Sequence, residues 1–364
     1  MPRVRTIVLA TGAALLAQRA LRRRIRRSPL WPMPALENPV SGTRAASRAP
    51  SSRAPASLRL LVTGRTAPAD GVVELHLEAL DTADLPAWTP GAHVDLVLPS
   101  GQIRQYSLCG DPADRSTYTL ATRLIEDGRG GSREVHEQLH EGSEVEIRGP
   151  RNRFPLVEAP SYVFVAGGIG ITPVLPMLRA AEAAGADWTL LYGGRSRASM
   201  PYIDEIEKLA APERVTIVAE DADGIPDVRA ALADAAEGTA VYCCGPEPLM
   251  AAVTDSLPAG CTLHLERFTA GDPSGGTGGA FEVELRRTGR TVTVPAGGTV
   301  LAAVRPEVPG VSYSCEQGFC GTCQQRVLEG EIDHRDELLT DSERDDSMLI
   351  CVSRAHGDRL VLDL

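Results

Sequence analysis

Three cysteines lie close together late in the chain, Cys315-Glu-Gln-Gly-Phe-Cys320-Gly-Thr-Cys323, and a fourth, Cys351, follows. The spacing C-x4-C-x2-C…C is the plant-type arrangement, in which four thiolates hold the two irons of a [2Fe–2S] cluster. Glycines at 318 and 321 let such a loop fold round an inorganic core and aim backbone N–H groups at sulfur. Zinc is the competing ligand, although zinc sites more often pair two close doublets; buried, unliganded cysteines are the remaining alternative. Cys109, Cys243, Cys244 and Cys261 are scattered, and each is expected to be a small buried hydrophobe.

A second group of residues can hold phosphate. Gly167-Gly168-Ile169-Gly170-Ile171-Thr172-Pro173 follows an apolar run and opens a helical stretch, so backbone N–H groups at the helix start can receive a pyrophosphate. The fragment is short of a full G-x-G-x-x-G, and a turn serving only strand–helix packing would explain it as well. A second glycine-bearing element, Tyr242-Cys243-Cys244-Gly245-Pro246, ends a later strand of the same expected sheet. Ligands of open α/β sheets bind at the carboxyl ends of strands, so the two loops can share one crevice.

Arg104-Gln105-Tyr106-Ser107 offers a cation for phosphate, an aromatic face for stacking and a hydroxyl for a ring nitrogen. Strand alternation puts Arg104 and Tyr106 on one face, with Ser107 opposite or redirected by a bend. Gly128-Arg129-Gly130-Gly131-Ser132 precedes a helical pattern over Arg133–Leu139. Ser132 is expected to cap that helix while the glycines expose its N–H groups to a single phosphate. An exposed strand and a flexible hairpin loop are the plainer readings of these two fragments.

The elements that must position these residues follow from periodicity. Alternating segments such as Val72–Leu77, His93–Leu98 and Val145–Ile147, separated by turn residues, predict an antiparallel β-barrel over 58–156. The buried-strand run Tyr162–Ala166, an alanine-rich helical stretch, Trp188–Tyr192 and Ala240–Cys243 predict a parallel α/β nucleotide-binding domain over 157–268. A glycine-rich linker is expected over 269–280. A β-hairpin from Phe281–Leu285 and Thr291–Val294 then opens a small third domain over 281–364.

Charge divides the chain unevenly. The net charge is −11, yet residues 1–57 hold eleven Arg and one acid, Glu37. The rest of the chain is strongly acidic, which argues against nucleic acid as a partner. In the leader, the heavier positive charge follows the apolar run Thr6–Ala17, the reverse of a secretory signal, so a cytoplasmic location is expected. Leu21 and Ile25 share a helical face among arginines, which suits peripheral contact with an anionic inner membrane face; a solvated leader running into a Pro/Ser/Ala/Arg linker is the alternative. No run of 18 or more apolar residues is present.

The order RQYS, GRGGS, GGIGITP, YCCGP and a C-terminal plant-type cysteine motif resembles the phthalate dioxygenase reductase family, which includes the vanillate demethylase reductases. The resemblance covers about residues 58–364 and implies a flavin barrel, a ferredoxin reductase-like nucleotide domain and a C-terminal β-grasp ferredoxin domain. It implies FMN, a [2Fe–2S] cluster and NADH. Arg104 with Gly130, Gly131 and Ser132 would hold the flavin phosphate, Tyr106 would stack on the isoalloxazine, and Phe268 in Glu266-Arg267-Phe268 would cover it. Ser107 beside flavin N5 and Cys244 beside the nicotinamide are the two positions implied at the hydride-transfer centre. Gly168, Gly170 and Thr172, with Gly245 and Pro246, would contact the nucleotide. Cys315, Cys320, Cys323 and Cys351 would ligate the cluster.

Arg195, in Gly194-Arg195-Ser196-Arg197-Ala198-Ser199, lies where an adenosine ribose is expected and leaves NADPH open, since arginine suits a 2′-phosphate and an acid suits NAD. Nicotinamides deliver electron pairs and such a cluster accepts single electrons, so a flavin between them is a chemical need. The expected function is therefore a monomeric reductase that supplies a terminal oxygenase, either Rieske-type or haem-thiolate. Acids at 333, 336, 337, 341, 343, 345 and 346 are expected to form a docking face for a basic acceptor. Two other functions fit: a redox sensor or iron–sulfur carrier, and a membrane-associated reductase for a lipid desaturase or hydroxylase.

Overall fold

The computed structural model describes residues 57–364 apart from 82, 127, 129, 269–277, 319 and 337. The basic leader, Arg129, Glu337 and most of the expected linker lie outside the described residues.

Six strands, β1 (Ser57–Ala69), β2 (Val72–Ala79), β3 (Ala92–Val97), β4 (Ile103–Ser107), β5 (Thr117–Arg123) and β6 (Glu144–Asn152), pair in the order β4-β3-β6-β1-β2-β5, and β3 is buried on both faces. All the pairings are antiparallel. Asp70-Gly71 makes the two-residue turn between β1 and β2, and Gly71 adopts the left-handed φ of +68° that such a turn requires. Leu108, just beyond β4, bridges Leu120 of β5 and closes the sheet on itself. Inward-pointing Leu60, Val62, Leu75, Leu77, Val94, Leu96 and Ile147 fill the barrel. The Gly131–Gln138 helix plugs one end with Val135.

The next five strands, β7 (Ser161–Gly167), β8 (Asp187–Gly194), β9 (Val215–Ala219), β10 (Ala240–Cys244) and β11 (Thr262–Glu266), form a parallel sheet in the order β11-β10-β7-β8-β9. Both faces are covered, one by the Ile171–Ala183 helix over Phe164, Trp188 and Tyr242, the other by Val228, Leu232, Met250 and Val253. The chain order reverses between β7 and β10, so a crevice opens beyond their carboxyl ends.

A mixed sheet of β12 (Phe281–Leu285), β13 (Arg290–Val294), β14 (Gln324–Glu329), β16 (Ser347–Leu349) and β18 (Arg359–Leu362) follows, in the order β13-β12-β18-β14-β16. β12 and β18 run parallel, and the short Val300–Val304 helix packs on the sheet through Val300, Leu301 and Val304, the β-grasp arrangement. β15 (Ile332–Asp333) and β17 (Arg354–Ala355) form a small ribbon beside it. The three sheets belong to one packed unit. No helix among the described residues is long and apolar enough to cross a membrane.

Candidate redox site at the junction of three sheets

The four motif cysteines converge. Cys320 meets Cys315, and Cys351 meets both Cys315 and Cys323, with all four buried. Gln317 N lies 3.3 Å from Cys315 Sγ, and the Gly318 amide points at Cys351. Gly318 and Gly321 both take positive φ, and a Cβ on either would press to 2.8 Å from Val352 or Leu338. Four convergent sulfurs with backbone donors aimed at them fit a [2Fe–2S] cluster, whose thiolates need such donors.

In the barrel, β4 presents Arg104, Tyr106 and Ser107 as alternation requires. The Arg104 side chain lies against Gly131, where a Cβ would collide with it, so the cation and the glycine turn are brought together. The helix begins at Gly131 rather than at Arg133, with Gly130 as its N-cap at a left-handed φ of 83°. Ser132 therefore sits inside the first turn and does not cap it; its hydroxyl accepts a 3.0 Å hydrogen bond from Ile125 N. The cation beside a helix start can hold one phosphate, which fits FMN. Tyr106 is hydrogen-bonded to Thr122, and burial pushes its phenol up to about 12.

The nucleotide loops meet directly. A Cβ on Gly170 would strike the Cys244 carbonyl, one on Gly167 would lie 2.5 Å from Pro246, and one on Gly245 would lie 3.0 Å from the Gly167 backbone. These three glycines serve close approach of loop to loop. Gly168, at a left-handed φ of 55°, faces open space, with the Arg123 guanidinium its nearest neighbour at 4.0 Å. Thr172 is buried and its hydroxyl donates to Ile169 O at 3.0 Å. Sequence reasoning missed Arg123: it ends β5, donates to Ser199 O, and brings a barrel cation to the nucleotide crevice. Burial lowers its pKa, and the nearby charge of Arg195 lowers it further.

The segment after β8 is partly self-contained. Arg197 pairs with Glu207 at 2.5 Å, and Ser196 and Ser199 cap each other across a short 3-10 turn. Arg195 stands exposed, and among the described residues its side chain makes no hydrogen bond.

Between β4 and the end of β11 lies a buried polar cluster. Ser107 Oγ donates to Glu266 Oε2 at 3.3 Å, and His93 Nδ1 stands 4.0 Å from Glu266 Oε1, beyond hydrogen-bond range. Burial raises the Glu266 carboxyl to about 8, with the Ser107 bond opposing. Burial first, then the charges of Arg151 and Arg153, holds His93 down to about 3. Both groups are thus neutral at pH 7. Cys244 lies beneath them, and burial followed by the Glu266 carboxylate pushes its thiol well up. Phe268 is 37% exposed just beyond.

A cleft lined by Gln105, Arg153, Phe154, Glu266, Arg267 and Leu338 draws on the barrel, the parallel sheet and the cysteine domain together. His93 Nδ1 and Nε2 and Gln105 Oε1 are buried around it without hydrogen-bond partners among the described residues, which fits a polar ring system seated there.

The expected acidic docking face is largely used internally. Asp336 is buried and accepts from Leu339 N at 2.9 Å and Ser353 Oγ at 3.1 Å. Asp333 pairs with Arg335, Asp346 with Arg326, and Glu343 with Arg153 of the barrel. Asp336 and Glu343 thus serve the fold, while Asp341, Asp345 and Asp346 stay exposed.

Comparison with known proteins agrees with this geometry. Residues 283–356 match the 2Fe-2S iron-sulfur cluster binding domain, and residues 154–261 match the N-terminal domain of dimethylamine monooxygenase subunit DmmA-like proteins. The chain is 40% identical over 327 residues to phenoxybenzoate dioxygenase subunit beta of Ectopseudomonas oleovorans, covering 87% of this chain and 99% of that protein. It is 36% identical over 314 residues to phthalate dioxygenase reductase of Burkholderia cepacia, covering 84% and 97%. A solved phthalate dioxygenase reductase superposes with a TM-score of 0.63 at 36% identity, over 85% of this chain and 98% of that one. An intact type IV self-sufficient cytochrome P450 monooxygenase superposes with a TM-score of 0.76 at 40% identity; this chain spans 43% of that longer protein. Three sheets of the expected kinds, four converging cysteines and relatives matched over nearly their whole length place this chain in the phthalate dioxygenase reductase family of oxygenase reductases.

Proposed function

We propose that the chain takes hydride from NAD(P)H onto FMN and passes single electrons through a [2Fe–2S] cluster to a terminal oxygenase. When bound, the flavin supplies the conversion between paired and single electrons that neither nicotinamide nor cluster can perform. The observation that carries the reading is the cleft lined by the barrel, the end of the parallel sheet and the cysteine domain, because it sets Gln105 of the RQYS strand beside Glu266 and Arg267 and against Leu338.

The chain's own residues have these roles. Arg104 and the N–H groups of the Gly130–Ser132 turn hold the flavin phosphate. Tyr106 and Phe268 flank the ring, and Ser107 presents its hydroxyl at the reacting edge. Gly168 and Thr172 offer N–H groups to the pyrophosphate, with Arg123 adding charge, while Cys244, Gly245 and Pro246 form the floor under the nicotinamide. A neutral Glu266 keeps negative charge away from the place where hydride arrives. Cys315, Cys320, Cys323 and Cys351 ligate the cluster.

NADH is the donor implied by the family, and Arg195 is the residue that would admit NADPH. The protein is proposed to act as a cytoplasmic monomer, since each cofactor site is built from one chain. Peripheral membrane contact by residues 1–57 is a separate part of the proposal, tested by vesicle binding of the full and shortened chains. The principal test is an anaerobic absorption titration with NADH and then NADPH. Bleaching of flavin and cluster bands by either is expected; bands that neither bleaches refute the reading.

A further inference from the structure

The barrel reaches the cysteine loop through two arginines at the end of β6. Arg151 Nη2 lies 2.6 Å from Asp95 Oδ2, and Asp95 is fully buried. The same nitrogen donates to Thr322 Oγ1 at 3.2 Å, across the boundary between barrel and cysteine domain. Thr322 Oγ1 in turn lies 3.2 Å from Cys320 Sγ. Beside it, Arg153 donates to Glu343 at 3.0 Å and to Gln324 at 2.6 Å, and its guanidinium lies against Gly321. A Cβ at Gly321 would stand 3.4 Å from that guanidinium, so the loop rests flat on the arginine.

Two details set Arg151 apart from an ordinary charge partner for Asp95. The Asp95 contact is close yet poorly aligned, and among the described residues neither Asp95 oxygen completes a well-directed hydrogen bond. Arg151 Nη1 is likewise buried without a partner among them. A guanidinium placed only to neutralise Asp95 would turn its fork to the carboxylate. This one leaves Nη1 unpaired and shares Nη2 between Asp95 and the cysteine loop.

Donor bookkeeping fixes the direction of the chain. Arginine can only donate, so Thr322 Oγ1 accepts from it and its own proton is free. A liganded thiolate can only accept, so that proton points at Cys320. A hydroxyl fed by a cation is a stronger donor than a neutral one.

We propose that Arg151 is a positioning residue for the flavin-to-cluster electron step, clamping the cluster loop to the barrel and strengthening, through Thr322, the hydrogen bond to the Cys320 thiolate. The inference rests on the function proposed above. In each event one electron leaves the reduced flavin and converts one ferric ion to ferrous, with no covalent bond formed or broken. The cluster gains one negative charge, which the Arg151–Thr322 chain stabilises, and the electron's departure to the oxygenase restores the ferric state.

The test uses full-length protein carrying flavin and cluster, with Arg151→Lys, Thr322→Val and Thr322→Ser. Two readouts are followed: the cluster midpoint potential, from an EPR-monitored titration with a chemical reductant, and stopped-flow bleaching of flavin and cluster bands by NADH. Thr322→Val and Arg151→Lys are each expected to lower the potential and slow cluster bleaching by about fivefold, the size of one lost hydrogen bond, with flavin bleaching unchanged. Thr322→Ser is expected to restore both. The double variant should be no worse than the worse single one, because both break the same chain. If Thr322→Val fails to retain its cluster, Arg151→Lys decides alone, since it leaves the loop's own residues intact. Wild-type potentials and rates in both variants would overturn the proposal and leave Arg151 as the partner of Asp95 only. Failure of NADH to bleach the wild-type flavin would instead strike at the proposed function, and the chemically poised potential would still test the clamp.

Discussion

Replacing Glu266 by Gln should change how stability depends on pH, and the structure gives the size. The carboxyl is 9% exposed, accepts one hydrogen bond from Ser107 and faces a His93 that is also neutral. Its pKa rises from 4.5 to about 8 through burial, the Ser107 bond offsetting only part. Between those values the folded chain keeps a proton that the unfolded chain has lost, so this group's stabilisation is full below pH 4.5 and gone above about 8. Each pH unit in that window costs about 1.4 kcal/mol. His93 acts in the opposite sense: its pKa falls from 6.5 to about 3, so stability is lost as pH drops through that range. The two slopes cancel between pH 4.5 and 6.5, leaving Glu266 alone to act from 6.5 to 8. Over that stretch the wild type should lose about 2 kcal/mol that Glu266→Gln keeps, a difference of about 3 °C in Tm for a unit of this size. Scanning calorimetry of both proteins at several pH values between 5 and 9 measures it. A Tm difference that stays constant from pH 5 to 8 would mean an ionised Glu266 in the folded state, and the account of a neutral hydride-transfer junction would fall.

Other expectations follow from single contacts. Gly131→Ala pushes a methyl into the Arg104 side chain and should weaken FMN binding about tenfold while the cluster spectrum is unchanged, measured by flavin fluorescence on titration. Cys351→Ser should abolish the cluster bands and acceptor reduction through the cluster, yet leave NADH-dependent bleaching of the flavin. Arg195→Ala should lower kcat/KM for NADPH about tenfold and leave NADH nearly unaffected, because only the 2′-phosphate needs the charge.

Much of the architecture was legible because it is written in local periodicity. The alternation in β1 to β6 and the buried run of β7 name their sheets without tertiary information. The cysteine spacing names its ligand because four sulfurs on one loop and a neighbouring turn leave few other arrangements. Ser132 was misplaced because a helix boundary two residues early depends on whether Gly130 can take a left-handed φ, which composition alone leaves open. The facing of the two glycine-bearing loops was legible from their strand ends, whereas their closeness, with Gly170 and Gly245 each against the other loop's backbone, is a tertiary fact. The acidic run after β14 reads as a surface, yet Asp336 is buried and Glu343 is tied to the barrel. Arg123, Arg151 and His93 carry no local signal at all, since their importance comes from strands that are distant in sequence.

The two sides of the junction handle charge in opposite ways, and the reason lies in what each must accept. On the nucleotide side, burial drives Glu266 and His93 both toward their neutral forms, so the proposed place of hydride arrival carries no fixed charge from them. An ionised carboxylate there would oppose the negative charge that hydride brings. On the cluster side the buried Asp95 faces Arg151, and the guanidinium is the end that reaches the cysteine loop. A single electron entering the cluster adds negative charge beside four thiolates, so a cation at that boundary lowers the cost of reduction. One strand carries both arrangements: His93 and Asp95 share a face of β3, opposite Ser107 and Gln105 of β4, and on the other side pair with Arg151 and Arg148 of β6 across a register shift. Strand register thus sets a neutral and a charged position two residues apart on one face, and a one-residue slip in β3 would turn both away from Ser107 and the β6 arginines together.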